Sequence, residues 1–259
     1  MLNYRIYGNT TPLQRPLLVL HGLLGSMDNW HTFASKQTEG RSIIAIDLRN
    51  HGNSPHVAGM AYRLMMDDVL EVADHLQLAR FDLMGHSMGG KVAMTLALHH
   101  PERLHKLIVV DIAPVNYPPR HQAILQAMLT MPLASFKNRR EADQWLAPTI
   151  QQPFERAFLL KNLKWDSNGR FDWQCNLPEI GRHYLNITAF TESGLRYLGD
   201  TLFIGGRQSD YLQLERWLVA QQYFPNARLE MIAEAGHLPH VQTPEVFTQQ
   251  VNAMLDGGF

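Results

Sequence analysis

Short, uninterrupted runs of apolar residues recur along the chain and mark its predicted strands. Runs of roughly four to eight such residues, bounded by glycine or polar residues, are typical of strands buried on both faces of a parallel sheet. Six of them lie at residues 17–21, 42–47, 81–85, 107–111, 201–205 and 229–233. An alternating stretch at residues 2–7 predicts an edge strand ahead of them.

Helical periodicity separates several of these runs. Apolar residues recur at helical spacing across residues 62–76 and 88–99. A chain that alternates strand and helix in this way favours a doubly wound, mostly parallel sheet with helices on both faces. The predicted fold class is therefore α/β.

The alternation stops over residues 112–197. This stretch has helical patterns at residues 123–131 and 141–146, no run that predicts a buried strand, and most of the tryptophans. We predict that residues 1–111 and 198–259 form the core and that residues 112–197 form a mostly helical cap; ordinary crossover helices are the alternative. Four aromatic residues of this stretch are candidates for lining a pocket or for packing the cap itself: Phe136, Trp145, Phe158 and Trp165.

Composition and charge narrow the classes of function. The 259 residues carry 23 Lys and Arg against 24 Asp and Glu, a net charge of -1, which gives no overall electrostatic reason to expect nucleic acid or an anionic membrane as a partner. No run approaches the roughly 18 apolar residues of a membrane helix, and the first residues lack the apolar core of a signal peptide. Cys175 is the only cysteine, so no intrachain disulfide is possible. These features predict a cytoplasmic protein with a small-molecule partner, and they carry no signal for the oligomeric state.

The sequence GHSMGG at residues 85–90 lies between a predicted strand and a predicted helix. A G-x-S-x-G nucleophile elbow needs this context, because Ser87 must sit on a sharp strand-to-helix turn with its hydroxyl exposed. Gly85 and Gly89 remove side chains that would collide across that turn. The amide of Met88, at the start of the new helix, would face a developing oxyanion. Ser87 is therefore the predicted nucleophile, with a plain tight turn as the alternative.

A second glycine-bearing turn, HGLLG at residues 21–25, ends the first buried run. Such a turn can aim the amide of Leu23 at the same oxyanion, so that Leu23 and Met88 together supply two donors. A routine strand-exit turn is the alternative.

Thirteen histidines are candidates for the base that a serine nucleophile requires. His237 follows the last predicted strand and comes after Ser87 in the order serine, acid, histidine that accompanies such an elbow. His240 lacks the preceding glycine and lies nearer the final helix. The two histidines have no acidic or cysteine partner at ligand spacing, so we predict His237 as the base and no metal site.

Two carboxylates compete for the acid that orients this histidine. Asp111 ends the predicted strand at residues 107–111, and Asp210 follows the penultimate strand. Both strands finish at the same edge of the sheet, so either carboxylate could reach His237. Helix capping or a loop hydrogen bond is the alternative role for each of them.

Several stretches together resemble the α/β-hydrolase fold, and more closely the YbfF-type bacterial esterases and their mitochondrial relatives. They are VLHGLLGS at 19–26, DLRNHGNSP at 47–55, GHSMGGK at 85–91, DIAPV at 111–115 and GRFDW at 169–173. The resemblance implies an esterase of short acyl chains that also takes acyl thioesters, with Asp111 as the triad acid. The chain departs from that family by carrying an acid at position 210. The stretch at 47–55 is expected to be structural, with Arg49 bracing a loop near the mouth of the site.

The leading hypothesis is a serine hydrolase that needs no metal or organic cofactor. A lyase of the menaquinone-synthesis type uses a similar fold and triad, and it would need arginines facing an anionic substrate; Arg120, Arg139 and Arg207 are the candidates. A non-catalytic, ligand-binding member of the fold is the third hypothesis, since one fold hosts many functions.

Overall fold

A seven-stranded sheet forms the centre of the molecule, whose computed structural model describes residues 1–8, 14–37 and 40–257. The strands of the described chain are β1 (Tyr4–Tyr7), β2 (Leu17–Leu20), β3 (Ile43–Ile46), β4 (Phe81–His86), β5 (Leu104–Val110), β6 (Leu163–Trp165), β7 (Phe171–Trp173), β8 (Asp200–Gly206) and β9 (Arg228–Ile232). Their order in the central sheet is β1-β3-β2-β4-β5-β8-β9. The strand β1 is antiparallel to β3, and the other neighbours are parallel. The predicted mostly parallel sheet is therefore confirmed.

Helices flank this sheet and fill the long connections. In the described residues they are α1 (His31–Ser35), α2 (Tyr62–His75), α3 (Met88–His99), α4 (Gln122–Leu129), α5 (Arg139–Leu146), α6 (Pro153–Leu160), α7 (Leu177–Arg182), α8 (Tyr184–Thr188), α9 (Leu214–Tyr223), α10 (Pro239–Gln242) and α11 (Pro244–Leu255). Short 3-10 helices lie at Met27–Trp30, Pro101–Arg103 and Leu133–Ser135. Across the described part of the chain, each helix is too short or too polar to traverse a lipid bilayer.

The two faces of the sheet pack into separate apolar clusters. In β2, Leu17 and Val19 belong to one cluster and Leu18 and Leu20 to the other, because successive side chains of a strand point to opposite faces. Residues of α1 and α11 join the first cluster, and residues of α2 and α3 join the second. Burial on both faces is the reason that the central strands appear in the sequence as continuous apolar runs.

The last strand differs from its sequence-based prediction. β9 pairs only with β8, at the edge of the described sheet, and Ile232 is its one buried residue. The prediction of a strand buried on both faces is wrong at this position, because a strand with a single neighbour leaves part of each face to solvent.

The residues between β5 and β8, called the insert below, add no strand to the central sheet. They form α4 to α8 and an antiparallel hairpin of β6 and β7. The sequence analysis did not predict the hairpin, whose strands have three residues each and bury only Leu163 and Phe171. The insert is fastened to the core by side-chain hydrogen bonds, since the Asn162 amide donates to the Leu24 carbonyl at 2.7 Å and the Tyr62 hydroxyl donates to the Ile187 carbonyl at 2.5 Å. It therefore lies over the turn after β2 and over α2.

The loop that follows β3 is braced from within. Arg49 binds both carboxylate oxygens of Asp68 at 2.6 and 2.8 Å. Its guanidinium also donates to the carbonyls of Ala58, Gly59 and Leu64. Arg49 therefore braces this loop, as the sequence predicts, and it does so by tying the loop to α2.

Candidate active site

Ser87 stands on a strained turn between β4 and α3. Its backbone has φ 52° and ψ -115°, a combination that a residue with a side chain rarely adopts. A Cβ on Gly85 would collide with the backbone of Gly89, and one on Gly89 would collide with the carbonyls of β2 and His21. The two glycines thus allow the chain to reverse sharply and to hold the serine at the end of the strand.

A continuous chain of hydrogen bonds runs from Ser87 to a buried carboxylate. The Oγ atom of Ser87 lies 3.1 Å from Nε2 of His237, and Nδ1 of His237 lies 2.8 Å from an oxygen of Asp111. The side chain of His237 is 30% exposed, whereas that of Asp111 is fully buried. The three residues come from the ends of β4, β5 and β9, which finish at the same edge of the sheet.

The carboxylate of Asp111 is held in a fixed orientation. One oxygen accepts the amide of Gly206 at 3.0 Å, and the other accepts the hydroxyl of Ser209 as well as His237. Asp111 itself has a positive φ of 49°. These bonds satisfy a buried charge that would otherwise be costly, and they aim it at the imidazole.

Asp210 points elsewhere. Its carboxylate pairs with Arg120 at the surface, where the Asp210 side chain is 56% exposed, and this partner lowers the pKa of Asp210. The carboxylate that reaches His237 is that of Asp111. The two residues next to Asp210 do contact Asp111 and His237. The hydroxyl of Ser209 donates to Asp111, and the ring of Tyr211 stacks on His237 with centroids 3.9 Å apart.

Two further histidines surround His237, and both are buried. Nε2 of His86 donates to the His237 carbonyl at 2.7 Å, and the ring of His240 stacks on Trp30 with centroids 4.5 Å apart. Burial lowers the pKa of His86 well below its ordinary value and that of His240 to about 3. Both rings are therefore neutral, and His237 is the histidine that faces Ser87.

Leu23 and Met88, the two predicted oxyanion donors, both line the space beside Ser87. Within the described residues, neither N–H donates to a protein acceptor, and for Met88 this is usual because the first N–H groups of a helix have no partner within the helix. The adjacent residue Leu24 has a positive φ of 57° and donates its amide to Nε2 of His51 at 3.1 Å. The contact with His51 thus holds Leu24 in place, and with it the loop that carries Leu23.

Two buried histidines brace the loops that follow β2 and β3, and sequence reasoning missed both roles. Nε2 of His21 accepts the Leu48 amide at 3.0 Å, and its ring centroid lies 5.1 Å from that of His51. Burial lowers the pKa of His21 to about 4 and that of His51 to about 3. Their unprotonated Nε2 atoms can therefore accept backbone N–H groups. The signal was available in the HG pairs at 21–22 and 51–52, but only the fold brings them together.

Two cavities meet at Ser87. The large cavity has a volume of about 310 Å³ and the small cavity about 50 Å³. Leu23, Ser87 and His121 line both. The large cavity is otherwise lined mainly by apolar groups, including Ile124, Phe154, Phe158, Leu159 and Leu238. The small cavity is lined by apolar residues such as Ile112 and Ile187, by Lys91, and by four tyrosines: Tyr62, Tyr117, Tyr184 and Tyr211.

The aromatic candidates of the insert divide between the two roles considered for them. Phe158 lines the large cavity. Phe136 and Trp145 pack against each other with centroids 6.3 Å apart, and Trp165 stacks on Phe171. Of the four, only Phe158 lines a cavity that reaches Ser87 in the described structure.

The three arginines considered for an anionic substrate lie away from both cavities. Arg120 pairs with Asp210, and Arg139 donates to the carbonyls of Leu160 and Leu163. Arg207 is exposed. Among the described residues that line the two cavities, none is an arginine.

Comparisons with known proteins agree with this architecture. A model of the α/β hydrolase fold family matches residues 15–244. The chain is 33% identical over 244 residues to the esterase YbfF of Escherichia coli and covers 93% of each protein. It is 37% identical over 248 residues to a zebrafish (Danio rerio) protein named sn-1-specific diacylglycerol lipase, with 93% of this chain and 78% of that protein covered.

A solved structure described as a marine microorganism esterase superimposes with a TM-score of 0.94 at 35% identity, over 98% of this chain and 99% of that one. The resemblance inferred from the sequence motifs is thereby confirmed. The chain belongs to the α/β-hydrolase fold family and is a hydrolase of the esterase and lipase type.

Proposed function

We propose that the protein is a serine carboxylesterase that hydrolyses short-chain acyl esters, and acyl thioesters as well, through an acyl-enzyme. The observation that carries the proposal is the unbroken chain from the Ser87 hydroxyl through His237 to Asp111. Such a chain turns a poor nucleophile into an effective one, because the base removes the hydroxyl proton and the acid stabilises the imidazolium.

The reaction begins with acylation. His237 takes the Ser87 proton at Nε2 while Oγ forms a bond to the carbonyl carbon. The carbonyl oxygen becomes an oxyanion, which the amides of Leu23 and Met88 bind. The bond to the leaving oxygen or sulfur then breaks, and that atom receives the proton from Nε2. An acyl-Ser87 ester and a free alcohol or thiol result.

Deacylation repeats these steps with water. His237 removes a proton from a water molecule that attacks the acyl carbon, and the same proton is returned to Ser87 Oγ as the ester bond breaks. The carboxylic acid leaves and the free enzyme is restored. No metal or organic cofactor takes part. We propose that the enzyme works in the cytoplasm, with residues 112–197 as the cap over the reacting groups.

The arginine positions bear on the alternative lyase. An anionic substrate buried beside Ser87 would need a cationic partner. The three candidate arginines lie elsewhere, and Lys91, which lines the small cavity, already donates to three backbone carbonyls. This arrangement favours the hydrolase.

The proposal is tested by covalent labelling and turnover. A fluorophosphonate probe should label the wild-type protein and fail to label Ser87→Ala, and p-nitrophenyl acetate and butyrate should be hydrolysed only by the wild type. Parallel assays with acetyl-CoA and butyryl-CoA test the thioester activity. Turnover that survives Ser87→Ala would refute the mechanism, and a wild type without label or turnover would support the non-catalytic alternative.

A further inference from the structure

The position of Ser87 between two unequal cavities separates the two halves of an ester. The carbonyl carbon must lie against Ser87 Oγ, so the acyl chain and the leaving group extend from it in different directions. Only Leu23, Ser87 and His121 are shared by the two cavities. Each half of the substrate therefore has a cavity of its own.

His237 decides which half enters which cavity. Nε2 of His237 must hand its proton to the leaving atom, so the first atom of the leaving group has to contact the imidazole. The imidazole lines the large cavity. On the other side, the ring of Tyr211 lies flat against it, 3.9 Å away and inclined by 20°, and lines the small cavity. The leaving group consequently extends into the large cavity, and the acyl chain into the small one.

Lys91 forms a fixed part of the wall of the small cavity. It lies one turn beyond Ser87 on α3 and is 1% exposed. Its ammonium donates to the carbonyls of Val115, Thr188 and Ala189, each at 2.9 Å, and lies 4.9 Å from the ring centroid of Tyr117. These three contacts and the burial of Lys91 hold the side chain in place, so it cannot swing away to admit a longer chain.

The volumes set the size of each group. A cavity of about 150 Å³ holds one benzene molecule, which has six carbons. By this measure the small cavity, with a volume of about 50 Å³, accepts roughly two carbons beyond the carbonyl. The large cavity, at about 310 Å³, accepts roughly twelve. Its walls are mainly apolar, with Gln152, Glu155 and Gln242 among the polar residues.

We propose that Lys91 and the tyrosines of the small cavity restrict the acyl group to roughly two to four carbons, while the leaving group is a bulky apolar alcohol or thiol held under the insert. The inference rests on the proposed esterase function and adds the orientation of the substrate. By this inference, esters of long fatty acids with small alcohols are poor substrates of the enzyme.

The test pairs two substitutions, one in each cavity. Ile187 lines the small cavity alone, and Ile124 lines the large cavity alone. The kcat/KM is measured for p-nitrophenyl esters from acetate to octanoate, and for acetate esters of alcohols from ethanol to decanol. In the wild type, kcat/KM should fall at least about tenfold between butyrate and hexanoate, a drop of roughly 1.4 kcal/mol in transition-state binding, and should rise with the size of the alcohol.

The two variants should then respond in opposite ways. Ile187→Ala should raise the hexanoate-to-acetate ratio by about tenfold or more without changing the selectivity among alcohols. Ile124→Ala should lower the preference for decyl over ethyl acetate and leave the acyl ratio as in the wild type. Ile187→Val removes less volume and should shift the acyl ratio in the same direction by a smaller factor, so the test survives if the alanine variant does not fold.

The outcomes distinguish the orientation from the function. If Ile124→Ala changes the hexanoate-to-acetate ratio and Ile187→Ala changes the selectivity among alcohols, the assignment of the cavities is reversed and the inference is wrong. If neither ratio responds while turnover still requires Ser87, the inference fails and the proposed function stands. Turnover of acetate esters that is independent of Ser87 would refute both the inference and the proposed function.

Discussion

At the scale of single residues, the two candidate acids have different environments. Asp111 is buried and reaches His237 at 2.8 Å, whereas Asp210 is paired with Arg120 at the surface. A buried carboxylate acts on the imidazole with little screening, while an exposed one is screened by water and salt. The residue-level hypothesis is therefore that Asp111 orients and stabilises His237.

Replacing each aspartate by asparagine tests which of the two acts on His237. Asp111→Asn should lower kcat by about 10³- to 10⁴-fold, because an amide no longer favours the imidazole tautomer with its proton on Nδ1. Asp210→Asn should change kcat by no more than about twofold, since an exposed ion pair contributes little. Steady-state kinetics on p-nitrophenyl acetate, with circular dichroism as a check on folding, make the comparison. A collapse of kcat in Asp210→Asn alone would contradict the assignment.

His240 provides a second residue-level prediction. Burial lowers its pKa to about 3, so it stays neutral over the pH range in which esterases are assayed. His240→Gln should therefore leave the midpoint of the acidic limb of the kcat/KM profile unchanged, whatever its effect on stability. A displacement of that midpoint by a full pH unit would show that His240 titrates together with the catalytic base.

At the scale of elements, the loop after β2 depends on a contact made by a distant loop. The Leu24 amide donates to Nε2 of His51, which comes 27 residues later. Leu24 has a positive φ, and a leucine is held in that strained conformation only by its surroundings. The direction of the neighbouring Leu23 amide therefore depends on His51.

Removal of this contact should weaken transition-state binding more than substrate binding. His51→Ala should lower kcat by about 10- to 100-fold, a part of the effect of losing one oxyanion donor, with KM changed by less than about threefold. Steady-state kinetics on p-nitrophenyl butyrate measure the two parameters separately. His56→Ala, an exposed histidine of the same region, is the matched control and should behave as the wild type. A rise in KM at unchanged kcat would mean that His51 shapes the cavity and does not position the amide.

At the scale of the whole molecule, Lys91 joins the core to both ends of the insert. Val115 lies shortly after β5, and Thr188 and Ala189 lie at the end of α8. A single ammonium thus fixes the insert relative to the helix that carries Ser87. Burial of this charge lowers the pKa of Lys91 to about 7.

This linkage predicts how stability depends on pH. Below pH 7 the folded protein keeps the buried charge at a cost. Between pH 7 and the ordinary lysine pKa, the unfolded chain binds a proton that the folded protein has released, so stability rises with pH. The free energy of unfolding of the wild type relative to Lys91→Met should therefore increase by about 1 kcal/mol per pH unit between pH 7 and 9.

Urea denaturation at several pH values measures this difference. The lost carbonyl contacts in Lys91→Met add a term that does not vary with pH, so only the slope is diagnostic. A difference that is constant from pH 7 to 9 would mean that Lys91 remains protonated in the folded protein.

The sequence by itself determined the features that are local. Continuous apolar runs predicted the central strands, because burial on both faces removes the need for polar alternation. The glycines around Ser87 predicted the elbow, because a reversal that sharp excludes side chains at neighbouring positions. The order of Ser87 and His237 along the chain predicted the pairing that the structure shows at 3.1 Å.

Tertiary structure decided what depends on residues far apart in the chain. Asp111 and Asp210 both follow strands that end at one edge of the sheet, and only the folded loops turn one towards His237 and the other towards Arg120. The stacking of Tyr211, the support of Leu24 by His51 and the unequal cavities beside Ser87 depend likewise on contacts between separate segments. Periodicity and motif spacing describe neighbours along the chain, so they carry no information about which distant side chains meet.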